Sequence, residues 1–145
     1  MDQRLTMITL GVRDLKRARK FYEALGWTAR EAGGGSIIFF QLLGSVLGLY
    51  PRHELAEDAM LPDDAPNAKF GGIALAYNGR DKAEVDRILA QAKAAGATIL
   101  KPAQDVFWGG YSGYFADLDG YPWEVAFNPH WPLEPDGSLK MKDPA

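Results

Sequence analysis

The alternation of apolar and polar residues along the chain predicts two copies of one module. In each copy a short alternating strand precedes an amphipathic helix, and strand-like runs ending in a hairpin follow. The first copy spans residues 7–50 and the second spans residues 70–127, and each is predicted to be βαβββ. Neither copy could bury its apolar face alone. We therefore expect one α+β domain with a concave surface between two half-sheets.

Two helices are predicted from apolar stripes that begin after a capping residue. Asp14 can cap a helix that ends near Leu25, because the apolar positions there recur at spacings of three and four. Asp81, with Glu84 three residues later, resembles a capping box for a helix that continues to Ala95. We expect both helices to pack on the convex sides of curved mixed sheets.

The segments outside the two modules are rich in proline. Residues 51–69 combine prolines with acidic side chains and are predicted to be a linker with a short helix at 53–60. Residues 128–145 contain four prolines, which argues against a regular central element in this tail.

Composition excludes several classes of function. The 145 residues carry a formal net charge of −3, include no cysteine and contain no apolar run of the length that spans a bilayer. The first residues lack the apolar segment of a secretory signal. We therefore expect a cytoplasmic protein that binds neither membranes nor nucleic acid, since binding to phosphate backbones needs clustered Lys and Arg.

Three stretches, Ile8–Leu15, Phe21–Trp27 and Phe115–Val125, carry a family resemblance. They resemble the vicinal oxygen chelate superfamily of glyoxalases, bleomycin-resistance proteins and extradiol dioxygenases. This resemblance covers nearly the whole chain and implies a glyoxalase-like fold, in which the sheets of two tandem βαβββ modules surround a central cup. It also implies a homodimer. Whether the modules pair within one chain or swap between chains stays open.

The resemblance also locates the positions that supply metal ligands in metal-dependent members. These positions are Met7, Gly48, Gly72 and Glu124 here. Strand parity agrees, because each lies on the face opposite a residue expected to pack under a helix; those residues are Ile8, Leu49, Ile73 and Val125. Only Glu124 has a suitable side chain, since glycine has none and a thioether is a poor ligand for Zn, Fe, Mn or Ni. We therefore predict no metal and no other cofactor.

The two histidines do not restore such a site. His53 lies in the linker and His130 in the tail, and neither spacing places the imidazoles together on one element. We expect His53 to be solvated and His130 to have a packing or hydrogen-bonding role.

The candidate ligand-binding residues lie on the cup-facing side of the predicted strands or in an aromatic loop. Flat rings there would bind a planar or cationic ligand by stacking. By alternation, Trp123, Val125 and Phe127 face the helix and are assigned to packing. The candidates are Met7, Thr9, Phe39, Gln41, Gly48, Tyr50, Gly72, Trp108, Tyr114 and Glu124.

These features favour a metal-free, bleomycin-resistance-like protein that binds a small organic ligand such as a drug or metabolite. Two alternatives remain. One is an enzyme, either a metal-dependent lyase, isomerase or dioxygenase, or a metal-free enzyme with Glu124 as catalytic general base. The other is an interaction or regulatory module.

Overall fold

The computed structural model describes residues 5–60, 63 and 73–139. The chain divides into two compact units, residues 1–69 and residues 70–145. Each unit contains a four-stranded mixed sheet, and among the described strands neither sheet closes into a barrel. The predicted α+β class is confirmed. The division into modules, linker and tail within a single domain stays a prediction.

The described part of the first unit has four strands and two α-helices. Its sheet has the order β1-β4-β3-β2, with β1 parallel to β4 and the other neighbours antiparallel. The elements are β1 (Met7–Val12), α1 (Leu15–Ala24), β2 (Ala29–Ala32), β3 (Ile37–Gln41), β4 (Val46–Pro51) and α2 (Arg52–Asp58).

Within its described residues, the second unit has four strands and one α-helix. Its sheet has the order β5-β8-β7-β6, and β5 is parallel to β8 while the other neighbours are antiparallel. The elements are β5 (Leu75–Asn78), α3 (Lys82–Ala94), β6 (Thr98–Asp105), β7 (Tyr111–Ala116) and β8 (Pro122–Phe127). This topology repeats that of the first unit, as the sequence pattern predicted.

Both long helices begin at the predicted capping aspartates. The Asp14 carboxylate accepts a hydrogen bond from the Arg17 amide at 3.0 Å, and the Asp81 carboxylate accepts one from the Glu84 amide at 2.7 Å. The Glu84 carboxylate in turn accepts from the Arg80 amide at 2.7 Å, one residue earlier than in an ideal capping box. These bonds satisfy backbone donors that the first helical turn leaves without partners.

Each long helix covers one face of its own sheet. In the first unit α1 packs its buried stripe on β3 and β4, and in the second unit α3 packs on β7 and β8. The buried residues of the two cores include Ala18, Phe21, Tyr22, Ile38, Phe40, Leu47 and Leu49 in the first unit, and Val85, Leu89, Ala92, Phe115, Trp123 and Val125 in the second. We call the opposite side of each sheet its far face; it carries Thr9, Phe39 and Gly48 in the first unit and Tyr114 and Glu124 in the second.

The second unit differs from expectation at Ile73 and has a bulged edge strand. The first strand of the second module begins at Leu75, and the preceding Ile73 is 67% exposed and does not pack under a helix. The strand after α3 is β6, which runs from Thr98 to Asp105 through two register shifts against β7. A bulged edge strand accommodates Pro102, because an outer strand can spare a backbone donor.

In the first unit the linker helix differs slightly from its predicted bounds. Strand β2 begins at Ala29, and the preceding Trp27 stacks on Tyr22 with ring centroids 5.4 Å apart. The linker helix predicted at 53–60 spans Arg52–Asp58. No helix among the described residues is long and apolar enough to cross a membrane.

Candidate functional site

Three predicted site residues adjoin on the far face of the first sheet. The register places Thr9 of β1 and Phe39 of β3 on either side of Gly48 in β4. A Cβ atom on Gly48 would lie 3.4 Å from Thr9 Oγ1 and 3.5 Å from Phe39 Cε1, which are ordinary contact distances. The missing side chain of Gly48 thus leaves room beside a hydroxyl and an aromatic ring.

Met7 and Gln41 lie at the margin of this cluster. Met7 begins β1 and is 42% exposed. The Gln41 side-chain amide donates to the carbonyl oxygens of Leu42 at 2.9 Å and Ser45 at 3.1 Å. The Gln41 amide nitrogen therefore stabilises the β3–β4 hairpin.

Helix α2 lies against the other end of the same far face. Gly11 is the register partner of Tyr50, and a Cβ atom on Gly11 would lie 3.2 Å from Arg52 Cα and 3.3 Å from Leu55 Cδ2. A hydrogen bond to Glu54 raises the pKa of Tyr50, with smaller contributions from burial and nearby carboxylates. Sequence reasoning missed the contact between Gly11 and Leu55. The signal was an isolated glycine inside a strand, which marks close approach of another segment.

Glu124 belongs to a row of side chains across the far face of the second sheet. In register order the row is Ala76 on β5, Glu124 on β8, Tyr114 on β7 and Lys101 on β6. Burial, then the charge of Glu124 and a hydrogen bond to it, raise the pKa of Tyr114 above its ordinary value. Tyr114 is therefore a protonated donor toward Glu124 at neutral pH. Sequence reasoning missed Lys101, because the bulges that align it with Tyr114 leave no local pattern.

Trp108 lies in the loop between β6 and β7. The loop is closed by hydrogen bonds between the backbones of Val106 and Gly110, at 3.0 Å, and of Gly109 and Val106, at 2.9 Å. The Trp108 indole covers Gly110 so closely that a Cβ atom there would lie 1.6 Å from Trp108 Cζ3. His130 lies beside this loop, with Nε2 3.6 Å from the position of a Cβ on Gly109.

The residues at the metal-ligand positions do not fit a divalent transition metal. Glu124 offers a carboxylate. Met7 offers only a thioether, Gly48 has no side chain, and Gly72 lies outside the described residues. Within the described ranges no three His, Asp or Glu side chains come together in a group that could hold an ion. A protein site for such an ion needs three or four nitrogen, oxygen or sulfur ligands.

The raised pKa of Tyr114 gives a testable pH dependence. Because its folded pKa lies above the unfolded value, its contribution to stability is complete below about pH 10 and is lost as the pH rises through the folded pKa. Phenolate absorbance, compared between wild type and Tyr114→Phe, should show this residue titrating later than a free tyrosine. Glu124→Gln should lower the pKa of Tyr114 in part, since burial remains. An unchanged titration in Glu124→Gln would refute the coupling.

Two units, each with a mixed sheet built from a βαβββ order, define the class of the protein. The sequence profile of the Glyoxalase/Bleomycin resistance protein/Dioxygenase superfamily matches residues 4–125. The chain belongs to this superfamily, which confirms the family and the glyoxalase-like fold expected from the sequence. No curated protein matches the sequence.

Solved structures give the same classification. A glyoxalase-related enzyme from Fulvimarina pelagi is 40% identical, with coverage of 96% of this chain and 98% of that chain and a TM-score of 0.85. A glyoxalase/bleomycin resistance protein/dioxygenase family enzyme from Burkholderia phytofirmans PsJN is 19% identical over 84% of this chain and 96% of that one, with a TM-score of 0.73. Lactoylglutathione lyase from Agrobacterium tumefaciens is 23% identical over 88% of this chain and 95% of that chain, with a TM-score of 0.63. The last two share the fold alone.

Proposed function

We propose that this protein binds small organic ligands on the far face of each of its two sheets, without a transition metal, as a bleomycin-resistance-like member of its superfamily. One observation carries the proposal. At the described positions that supply metal ligands in metal-dependent members, Glu124 is the single side chain suited to a metal, and Tyr114 lies beside it on the same far face as its register partner. A carboxylate at this position can anchor an amine or hydroxyl of a ligand.

The first unit supports the same function. Gly48 leaves space between the Thr9 hydroxyl and the Phe39 ring, which supply one polar and one flat apolar contact. Organic ligands are usually bound by apolar and aromatic surfaces with a few polar groups that fix orientation. Tyr50 adds a second ring on this face, beside α2.

A metal-independent enzyme is the second candidate. The relative from Fulvimarina pelagi, 40% identical to this chain, is a glyoxalase-related enzyme. In this alternative Glu124 would act as general base, with the protonated Tyr114 as its hydrogen-bonding partner. Mass spectrometry of each bound compound after incubation with the protein separates the candidates, since only an enzyme changes the compound's mass or isomeric form.

The proposal includes a homodimer and a cytoplasmic location, as the resemblance and the composition predicted. Light scattering at tens of micromolar should give twice the chain mass of 15.9 kDa. A monomer under these conditions would contradict the dimer and leave the ligand-binding proposal in place.

Glu124→Gln should weaken ligand binding about 10- to 100-fold with little change in unfolding, because a hydrogen bond to a charged group contributes about 1.5–3 kcal/mol. A thermal-shift screen of small aromatic amines, alcohols and acids identifies a binder, and calorimetric titration then gives its affinity for both proteins. Glu23→Gln, on the exposed surface of α1, is the control and should bind as wild type does. Equal affinities of wild type and Glu124→Gln would remove Glu124 from the site.

A further inference from the structure

The far face of the second sheet carries a cation as well as a carboxylate. Lys101 is the register partner of Tyr114, which in turn is the register partner of Glu124, so Tyr114 lies between the two charges. Register partners on neighbouring strands present their side chains on the same face. Strands are about 4.8 Å apart, which separates the backbones of Lys101 and Glu124 by about 10 Å.

Lys101 is half-buried and forms no ion pair with any carboxylate in the described part of the chain. Several other cations of the described residues are paired, as Lys82 is with Asp105 at 2.5 Å. An ammonium group on a half-buried residue, without a counter-ion, is available to pair with an incoming anion.

The backbone of Lys101 is held in place by the bulge in β6. Its carbonyl oxygen and the amide nitrogen of Ala103 both lie 2.9 Å from the position that a Cβ atom would take on Gly113. Gly113 thus lets the bulged strand pack closely on β7. This packing fixes the place from which the Lys101 side chain extends.

We propose that Lys101 is a specificity-determining residue that selects organic acids with a hydrogen-bond donor at the end away from the acid. This inference rests on the proposed function. The ligand's anionic group pairs with Lys101, its flat middle lies over Tyr114, and its donor bonds to Glu124. Tyr114 uses part of the acceptor capacity of Glu124, and a carboxylate has about four acceptor sites in all. The orientation is set by charge, because Glu124 repels the anionic end that Lys101 attracts.

Two probes that differ in charge test this assignment. 4-Hydroxyphenylacetate carries an acid and a donor at opposite ends of a ring, and 4-hydroxyphenylacetamide is its neutral counterpart. Calorimetric titration should show that wild type binds the acid about tenfold more tightly than the amide, which corresponds to about 1.4 kcal/mol. Lys101→Met should bind the acid more weakly and the amide as wild type does, so that the preference is lost. Lys101→Arg should retain the preference. Lys93→Met, which removes an exposed lysine of α3, should behave as wild type.

Salt gives a second readout. The preference of wild type for the acid should shrink as ionic strength rises, since salt screens a charge pair near the surface. Lys101→Met should show no such dependence. If Lys101 had a merely structural role, Lys101→Met would bind both probes more weakly, and the ratio of the two affinities would not change.

Three results would overturn the inference. Equal affinity of wild type for the two probes, or a preference that survives in Lys101→Met, would remove Lys101 as the selecting residue. The proposed function stands in both cases if Glu124→Gln still weakens both probes. Failure of wild type to bind either probe at millimolar concentration, together with no binder in the wider screen, would overturn the proposed function and this inference with it.

Discussion

Gly113→Ala should lower the free energy of unfolding by about 3 kcal/mol, the upper end of the usual cost of overpacking. A Cβ atom there would lie 2.6 Å from Leu89 Cδ1 and 2.9 Å from both Ala103 N and Lys101 O. Real Cβ contacts are not this short, and two of the three atoms belong to a backbone that cannot rotate away. Relief therefore requires α3 or β6 to move from β7. Urea unfolding followed by tryptophan fluorescence measures the loss.

Gly48→Ala is the matched control, because it makes the same change in a strand of the other unit. The added Cβ atom meets its nearest neighbour, Thr9 Oγ1, at 3.4 Å, which needs little or no adjustment. We expect the free energy of unfolding to change by less than about 1 kcal/mol, as is usual where packing is not disturbed. Similar losses of unfolding free energy in both variants would contradict this explanation, because only Gly113 lies under the bulged strand β6.

Gly48→Trp should reduce the affinity for a ligand bound on the far face of the first sheet by more than about 100-fold, or about 2.8 kcal/mol. Its side chain would start between Thr9 and Phe39 and fill the space that we assign to the ligand. Gly48→Ala should keep most of the affinity, since its methyl group would lie at ordinary contact distances from Thr9 and Phe39. Titration with a binder from the screen compares the two variants, and circular dichroism checks that both retain their secondary structure.

Retention of full affinity in Gly48→Trp would place the ligand away from the first sheet. Gly72→Trp is predicted to block binding in the same way, from a position outside the described residues. Loss of affinity in Gly48→Ala as well would indicate that the backbone of β4, rather than the space beside it, is what the ligand needs.

Local patterns were sufficient to predict much of the fold. Asp14 and Asp81 cap the two long helices because each is followed by an apolar stripe at helical spacing. Alternation placed Thr9 and Gly48 on one face, since a strand turns successive side chains to opposite sides. Such rules use only near neighbours along the chain, and these can be read from one sequence.

Features that depend on pairing between distant segments could not be predicted in this way. Lys101 joins the row of Glu124 because β6 bulges twice against β7, and neither bulge follows from the residues of β6 alone. Likewise α2 was expected in a linker, whereas its Leu55 packs against Gly11 on the far face. Superfamily membership likewise does not name the ligand, which depends on side chains that differ among members of one fold.

The central claim is that the protein's own side chains bind an organic ligand without a divalent metal. Its most direct test is calorimetric titration of a binder from the screen into protein treated with chelator, with metal content measured on the same sample. The predicted result is unchanged affinity when the metal content is far below one ion per chain, and no gain when Zn²⁺, Mn²⁺, Ni²⁺ or Fe²⁺ is restored. Loss of binding on chelation, with recovery when one equivalent of any of these ions is added, would contradict the claim.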